Sequence, residues 1–156
     1  MILPLVVTAA AACGSGDPPP PDADEGLACL ASGRGDIYTV GLEHPGADGV
    51  FDFKLMSADP APPARLFNSW VMQVNAMSGG VVGEPVSGAT IRVSPYMPDH
   101  QHGPGGYRPI IEPMPEAGQY KIDQINTWMP GYWEITIDAE AGAAHDTVIY
   151  KFCIQA

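Results

Sequence analysis

The residues of this chain alternate. In SWVMQVNAM, residues 69–77, Trp70, Met72, Val74 and Ala76 share one side. Period-two patterning of this kind marks a half-buried strand that must lay its apolar face on another layer. The pattern recurs in VFDFKLM, where Phe51, Phe53 and Leu55 oppose Asp52 and Lys54, and in TIRVS, through Ile91 and Val93. GQYKIDQI sets Tyr120 and Ile122 against Lys121 and Asp123, and GYWEITIDA sets Trp133, Ile135 and Ile137 against Glu134, Thr136 and Asp138.

DTVIYKFCI, the last segment, is apolar almost throughout and reads as a central, doubly covered strand. With DIYTVGL at residues 36–42 the count comes to about seven strands, separated by Gly, Pro and Asn/Asp clusters. No segment sustains a helical period. The expected fold is all-β: an immunoglobulin-like antiparallel β-sandwich of about seven strands. SADPAPPARLFN and GGVVGEPVSG read as loops, and the RGD at Arg34–Asp36 as the start of a strand rather than an adhesion loop.

At 156 residues the chain suits one domain. Its opening MILPLVVTAAAA is an apolar run ending in small residues directly before Cys13, the layout of a secretory signal with a lipoprotein cleavage site. Residues 1–12 are therefore expected to be a signal peptide and Cys13 the lipidated first mature residue, giving an extracytoplasmic protein held to a membrane by its lipid anchor. Residues 13–25, rich in proline and acidic groups, read as an extended tether. The domain is expected to span 26–156, and nothing in it approaches the roughly 18 apolar residues of a membrane span.

Two further cysteines, Cys29 and Cys153, stand near the two ends of that domain. In an oxidising compartment they are candidates for one disulfide joining first strand to last. The formal net charge of −11 repels phosphate backbones, so nucleic acid is not an expected partner.

MPDHQHG, residues 97–103, followed by EAGQYKIDQINTWMPGYWEITIDA, resembles the YtkA-like domain, a family of small extracytoplasmic β-sandwiches related to the periplasmic part of FixH-type proteins. The resemblance rests on Met97, Pro98, Asp99, His100, His102 and Gly103, then Gly118 and Tyr120, then Met129, Pro130, Gly131 and Trp133. It departs at Gln101, where a glycine between the histidines is commoner. The resemblance implies an exported sandwich and, through its copper-handling neighbours, metal traffic with a copper-handling or oxidase-assembly partner.

The residues of the loop support two readings. Imidazole binds zinc and copper, and methionine thioethers select softer ions such as Cu(I). His100 and His102, two apart, form a two-nitrogen pincer if extended. Met97 and Met129 each precede proline, which restricts their backbone to extended geometry, and Asp99 is placed to orient a ring. Should the loop meet the WMPGYW turn, Met97, His100, His102 and Met129 would make a copper site.

The second reading makes Met129-Pro130-Gly131 a tight turn, the methionines core fillers and the histidines backbone partners in a structural loop. His44 and His145 read as solvated, with His145-Asp146 a distant auxiliary ligand, and the acidic residues as solvated outer-face charges. No nucleophile elbow, zinc-protease motif or phosphate-cradling loop is present. The expected function is thus a non-catalytic copper-binding protein for sequestration or delivery, and the alternative is an interaction or structural module of the same fold.

Overall fold

Extended segments with one apolar face satisfy their backbone by pairing, and among the described residues every strand pairing is antiparallel. The computed structural model describes residues 21–156, with side chains from Glu25 onward. The expected signal peptide, Cys13 and most of the expected tether lie outside the described residues. After helix α1 (Pro21–Ser32) come nine strands: β1 (Leu42–Pro45), β2 (Phe51–Asp59), β3 (Leu66–Ser78), β4 (Val81–Pro85), β5 (Thr90–Tyr96), β6 (Ile110–Pro113), β7 (Gln119–Thr127), β8 (Gly131–Ala141) and β9 (Ala144–Ile154).

One sheet runs β1-β2-β3-β7-β6, with β4 also paired to the long β3, and the second runs β5-β8-β9. The two inner faces are those that the alternation marks. Phe53, Leu55, Trp70, Met72 and Ile122 from the larger sheet are buried with Trp133, Ile135, Ile137, Tyr150 and Phe152 from the smaller. The all-β sandwich is the observed fold.

Six of the seven expected strands form. The seventh, residues 36–42, does not, apart from Leu42, which opens β1: Asp36 instead caps the open edge of β9, its N–H donating to the Lys151 carbonyl at 2.6 Å while its carboxylate accepts from the Lys151 N–H at 2.7 Å. Strand β4 replaces part of an expected loop. It is exposed at every position, so no alternation announces it. The run expected to be a central strand becomes β9, an edge strand; only alternate residues of it face the core, and β8 is the central one.

The tether expectation fails at its C-terminal end, since residues 21–25 open α1. Proline at a helix start loses no needed N–H, and acidic residues in the first turn suit the positive end of the helix dipole. The helix stops at Gly33, whose φ of +66° lets its N–H reach back to the Leu30 carbonyl. Cys29 faces inward and bonds Cys153 of β9, with Cα atoms 5.5 Å apart. The disulfide is present, but it joins helix to last strand rather than strand to strand. No helix of the described residues is long and apolar enough to cross a membrane.

Two carboxylates expected on solvated faces are buried. Asp52 is held beside Asn75 of β3, and burial, followed by the nearby Glu43, pushes its carboxyl above the usual range. Asp146, fully buried, accepts from the backbone N–H groups of Asp48, Val50, Phe51 and Thr147 at 2.8 to 2.9 Å. Burial alone would raise it, yet the four donors outweigh burial and hold it below the ordinary aspartate range.

A carboxyl depressed in the fold stabilises above its unfolded pKa of about 4, and that contribution disappears as pH falls through the folded value. Asp146→Asn should therefore lose about 3 kcal/mol or more at neutral pH and lose less on acidification than the wild type, measured by urea unfolding from pH 7 downward. Removing the disulfide with Cys29→Ala/Cys153→Ala should lower stability by up to about 5 kcal/mol in the chain-entropy model for a 124-residue separation. Alkylation of the unreduced folded protein should leave both cysteines unmodified, and labelling of either would contradict the bridge.

Candidate metal centre

Strand β5 ends at Tyr96, and the chain then turns back tightly enough for Met97 to pair with His102. The Met97 N–H donates to the His102 carbonyl at 2.8 Å, and the His100 N–H to the Met97 carbonyl at 3.2 Å. Gln101 takes a left-handed φ of +56° to close the turn. Glycine would adopt that conformation without the penalty of roughly 1 kcal/mol that a side chain brings, which explains the commoner glycine there in the sequences this loop resembles. Antiparallel pairing sends the side chains of Met97 and His102 to one face, with Cβ atoms about 5 Å apart.

Met97 is 1% exposed and belongs to the core. Its Cε occupies the space beside Gly131, where an added Cβ would lie 2.5 Å away. His102 stacks on Trp128 at 5.0 Å between ring centroids and meets the edge of Trp133 at 5.8 Å. The loop and the Trp128–Trp133 turn therefore meet at the end of the sandwich where Gly131 pairs with Ile154. Met129 sits in that turn. Its carbonyl accepts the Trp133 indole N–H at 2.8 Å, and its side chain packs, partly buried, against the core.

Both imidazoles are held by one nitrogen. His102 Nδ1 lies 3.0 Å from the Gly103 carbonyl, which can only accept, so Nδ1 carries the proton and Nε2 the lone pair. That Nε2 is buried and has no hydrogen-bond partner among the described residues. His100 Nε2 lies 2.9 Å from Glu25 Oε2 of α1. In the neutral ring this assigns the proton to Nε2 and leaves the Nδ1 lone pair free. The two ring centroids are 5.8 Å apart. A metal about 2 Å from each donor nitrogen spans centroids up to about 6 Å apart, so 5.8 Å lies at the upper end of that span, where the two donor nitrogens must face each other across the ion.

Asp99 does not orient a histidine. Its carboxylate pairs with both terminal nitrogens of the Arg34 guanidinium, Nη1 to Oδ1 at 3.1 Å, and Arg34 also lies 4.0 Å over the Tyr132 ring. These contacts tie down the RGD arginine as well. The carboxylate on a histidine is Glu25, which the sequence reading placed in the tether; the cue for it was Pro21 followed by acidic residues, a helix start. Glu25, Met97, Asp99, His100 and Gly131 line a pocket of about 290 Å³ between α1 and the loop.

The remaining histidines lie elsewhere. His145 is exposed at the β8–β9 hairpin as expected, 3.9 Å from Asp138, and its neighbour Asp146 is spent on backbone amides rather than free as an auxiliary ligand. His44, expected to be solvated, is half-buried, 3.3 Å from Asp36 and edge-on to Tyr150. Among the described residues no group of three or more His, Cys, Asp and Glu is placed to hold a metal.

The YtkA-like family matches residues 47–138, more than half of the chain, including the loop and the Trp128–Trp133 turn but not Glu25, Arg34 or either disulfide cysteine. No curated protein and no solved structure matches the chain. With the sandwich formed and the match spanning its centre, the chain belongs to the YtkA-like family.

Proposed function

We propose that this domain binds one copper ion through His100 and His102, with Met97 and Met129 as thioether donors, and holds it for sequestration or delivery. The observation that carries the reading is the buried Nε2 of His102, an acceptor with no partner among the described residues, whose ring lies 5.8 Å from that of His100. An unsatisfied buried acceptor costs about 1–3 kcal/mol, and a metal ion would supply its missing partner. Two imidazoles with neighbouring thioethers suit Cu(I) better than harder ions. Met97, paired directly across from His102, is the better placed of the two methionines.

The setting of this reading is an extracytoplasmic lipoprotein anchored through Cys13. The Cys29–Cys153 bridge supports it, since disulfides persist in oxidising compartments. A non-catalytic carrier of this kind needs a copper-handling or oxidase-assembly partner.

One group of contacts favours the competing reading, an interaction module. Trp128, Tyr107 and Phe67 are each exposed near the loop, with Phe67 and Tyr107 edge-to-face at 4.9 Å, and exposed aromatics are enriched where proteins bind each other.

Titration with Cu(I) and Cu(II) against a competing chelator separates the two. The wild type should take up one equivalent of Cu(I), and His100→Ala/His102→Ala should weaken binding by at least about 100-fold, beyond what losing a merely supporting group causes. Equal affinity in both proteins would remove the histidines as ligands. Absence of binding in the wild type would leave the interaction module.

A further inference from the structure

Two successive loop residues, Asp99 and His100, are each gripped by the segment that precedes the family match. Arg34 holds the Asp99 carboxylate, and Glu25 accepts from His100 Nε2 at 2.9 Å. Between these two grips lies Cys29, which fastens the segment to β9. Next to Glu25, Gly26 lies so close to the end of β9 that an added Cβ would stand 2.7 Å from the Ile154 carbonyl oxygen. The position of Glu25 over the loop is thus set by covalent and packing constraints, not by the exposed face of a free helix.

We propose that Glu25 is a positioning residue for the metal loop: it fixes the tautomer and orientation of His100 so that Nδ1, not Nε2, is the donor offered to the ion. This rests on the copper reading above. A carboxylate that accepts the distal N–H of a ligating histidine locks the ring and makes the opposite nitrogen more basic. His102 receives the same treatment from the Gly103 carbonyl on its Nδ1, which offers Nε2. On the copper reading, these are the two nitrogens that hold the ion, His100 Nδ1 and His102 Nε2. The family region carries the ligands, and a segment outside it supplies the group that aims one of them.

The test uses the full chain, its Glu25→Ala and Glu25→Gln variants, and long-range proton–nitrogen NMR of the imidazoles before and after adding Cu(I). In the metal-free wild type His100 should show the Nε2–H tautomer, and Cu(I) should shift its Nδ1. Glu25→Ala should give mixed tautomers and a loss of Cu(I) affinity of about 10- to 100-fold. Glu25→Gln, whose amide oxygen still accepts, should restore the tautomer and most of the affinity.

Copper bound through His100 Nε2, or a Glu25→Ala protein with unchanged tautomer and affinity, overturns the proposal. If the wild type binds no Cu(I), the copper reading fails and this proposal with it. If Cu(I) binding is lost in His100→Ala/His102→Ala but untouched in Glu25→Ala, this proposal alone fails.

Discussion

Four backbone N–H groups converge on the carboxylate of Asp146, and the closure of the sandwich depends on that convergence. The residue belongs to β9 of the smaller sheet, whereas three of its donors, from Asp48, Val50 and Phe51, lead into β2 of the larger one. Gly46 must lack a side chain, because a Cβ there would lie 2.2 Å from the Asp146 carboxyl carbon. Four residues on, on the same inner face, Tyr150 repeats the connection with its hydroxyl donating to the Phe53 carbonyl at 2.8 Å. Buried charge is tolerated here because each polar atom brought out of water meets a donor.

That polar fastening occupies one end of β9, and its opposite end carries Cys153 and Ile154 beside Gly131. The candidate metal loop therefore sits at the end held by covalent and side-chain contacts from α1 rather than by backbone amides. Packing and electrostatics divide the work: one end is closed by a carboxylate that the core needs, and the other carries the imidazoles of His100 and His102, which lie outside the core, beside Met97, which belongs to it. Of the two imidazoles, that of His102 has the buried nitrogen without a partner among the described residues.

What could be read from sequence follows from what period two encodes. It states which residues share a face, so Phe53, Trp70, Ile122 and Trp133 were legible as core. It does not state whether the opposite face is covered, so Asp52 read as solvated although β1 and β3 flank it. Asp146 was illegible because its partners are main-chain amides, which no side-chain pattern shows. Helix α1 has no apolar stripe to detect: Leu27 and Leu30 are exposed, and its docking comes from Cys29 and the absent side chain of Gly26. In the same way the loop histidines and methionines could be named from their chemistry, while Glu25, 75 residues from His100, could not be assigned to them.

X-ray absorption of the Cu(I)-loaded protein measures the central claim directly, because it reports the atoms bound to the metal rather than the affinity of the whole. A mixed inner shell is expected, with two imidazole nitrogens near about 2.0 Å and at least one sulfur near about 2.3 Å, by analogy with the distances imidazole and thiolate take at zinc. A shell of nitrogen and oxygen alone would contradict it, since the copper would then lie away from Met97 and Met129 and the loop would owe its methionines to packing.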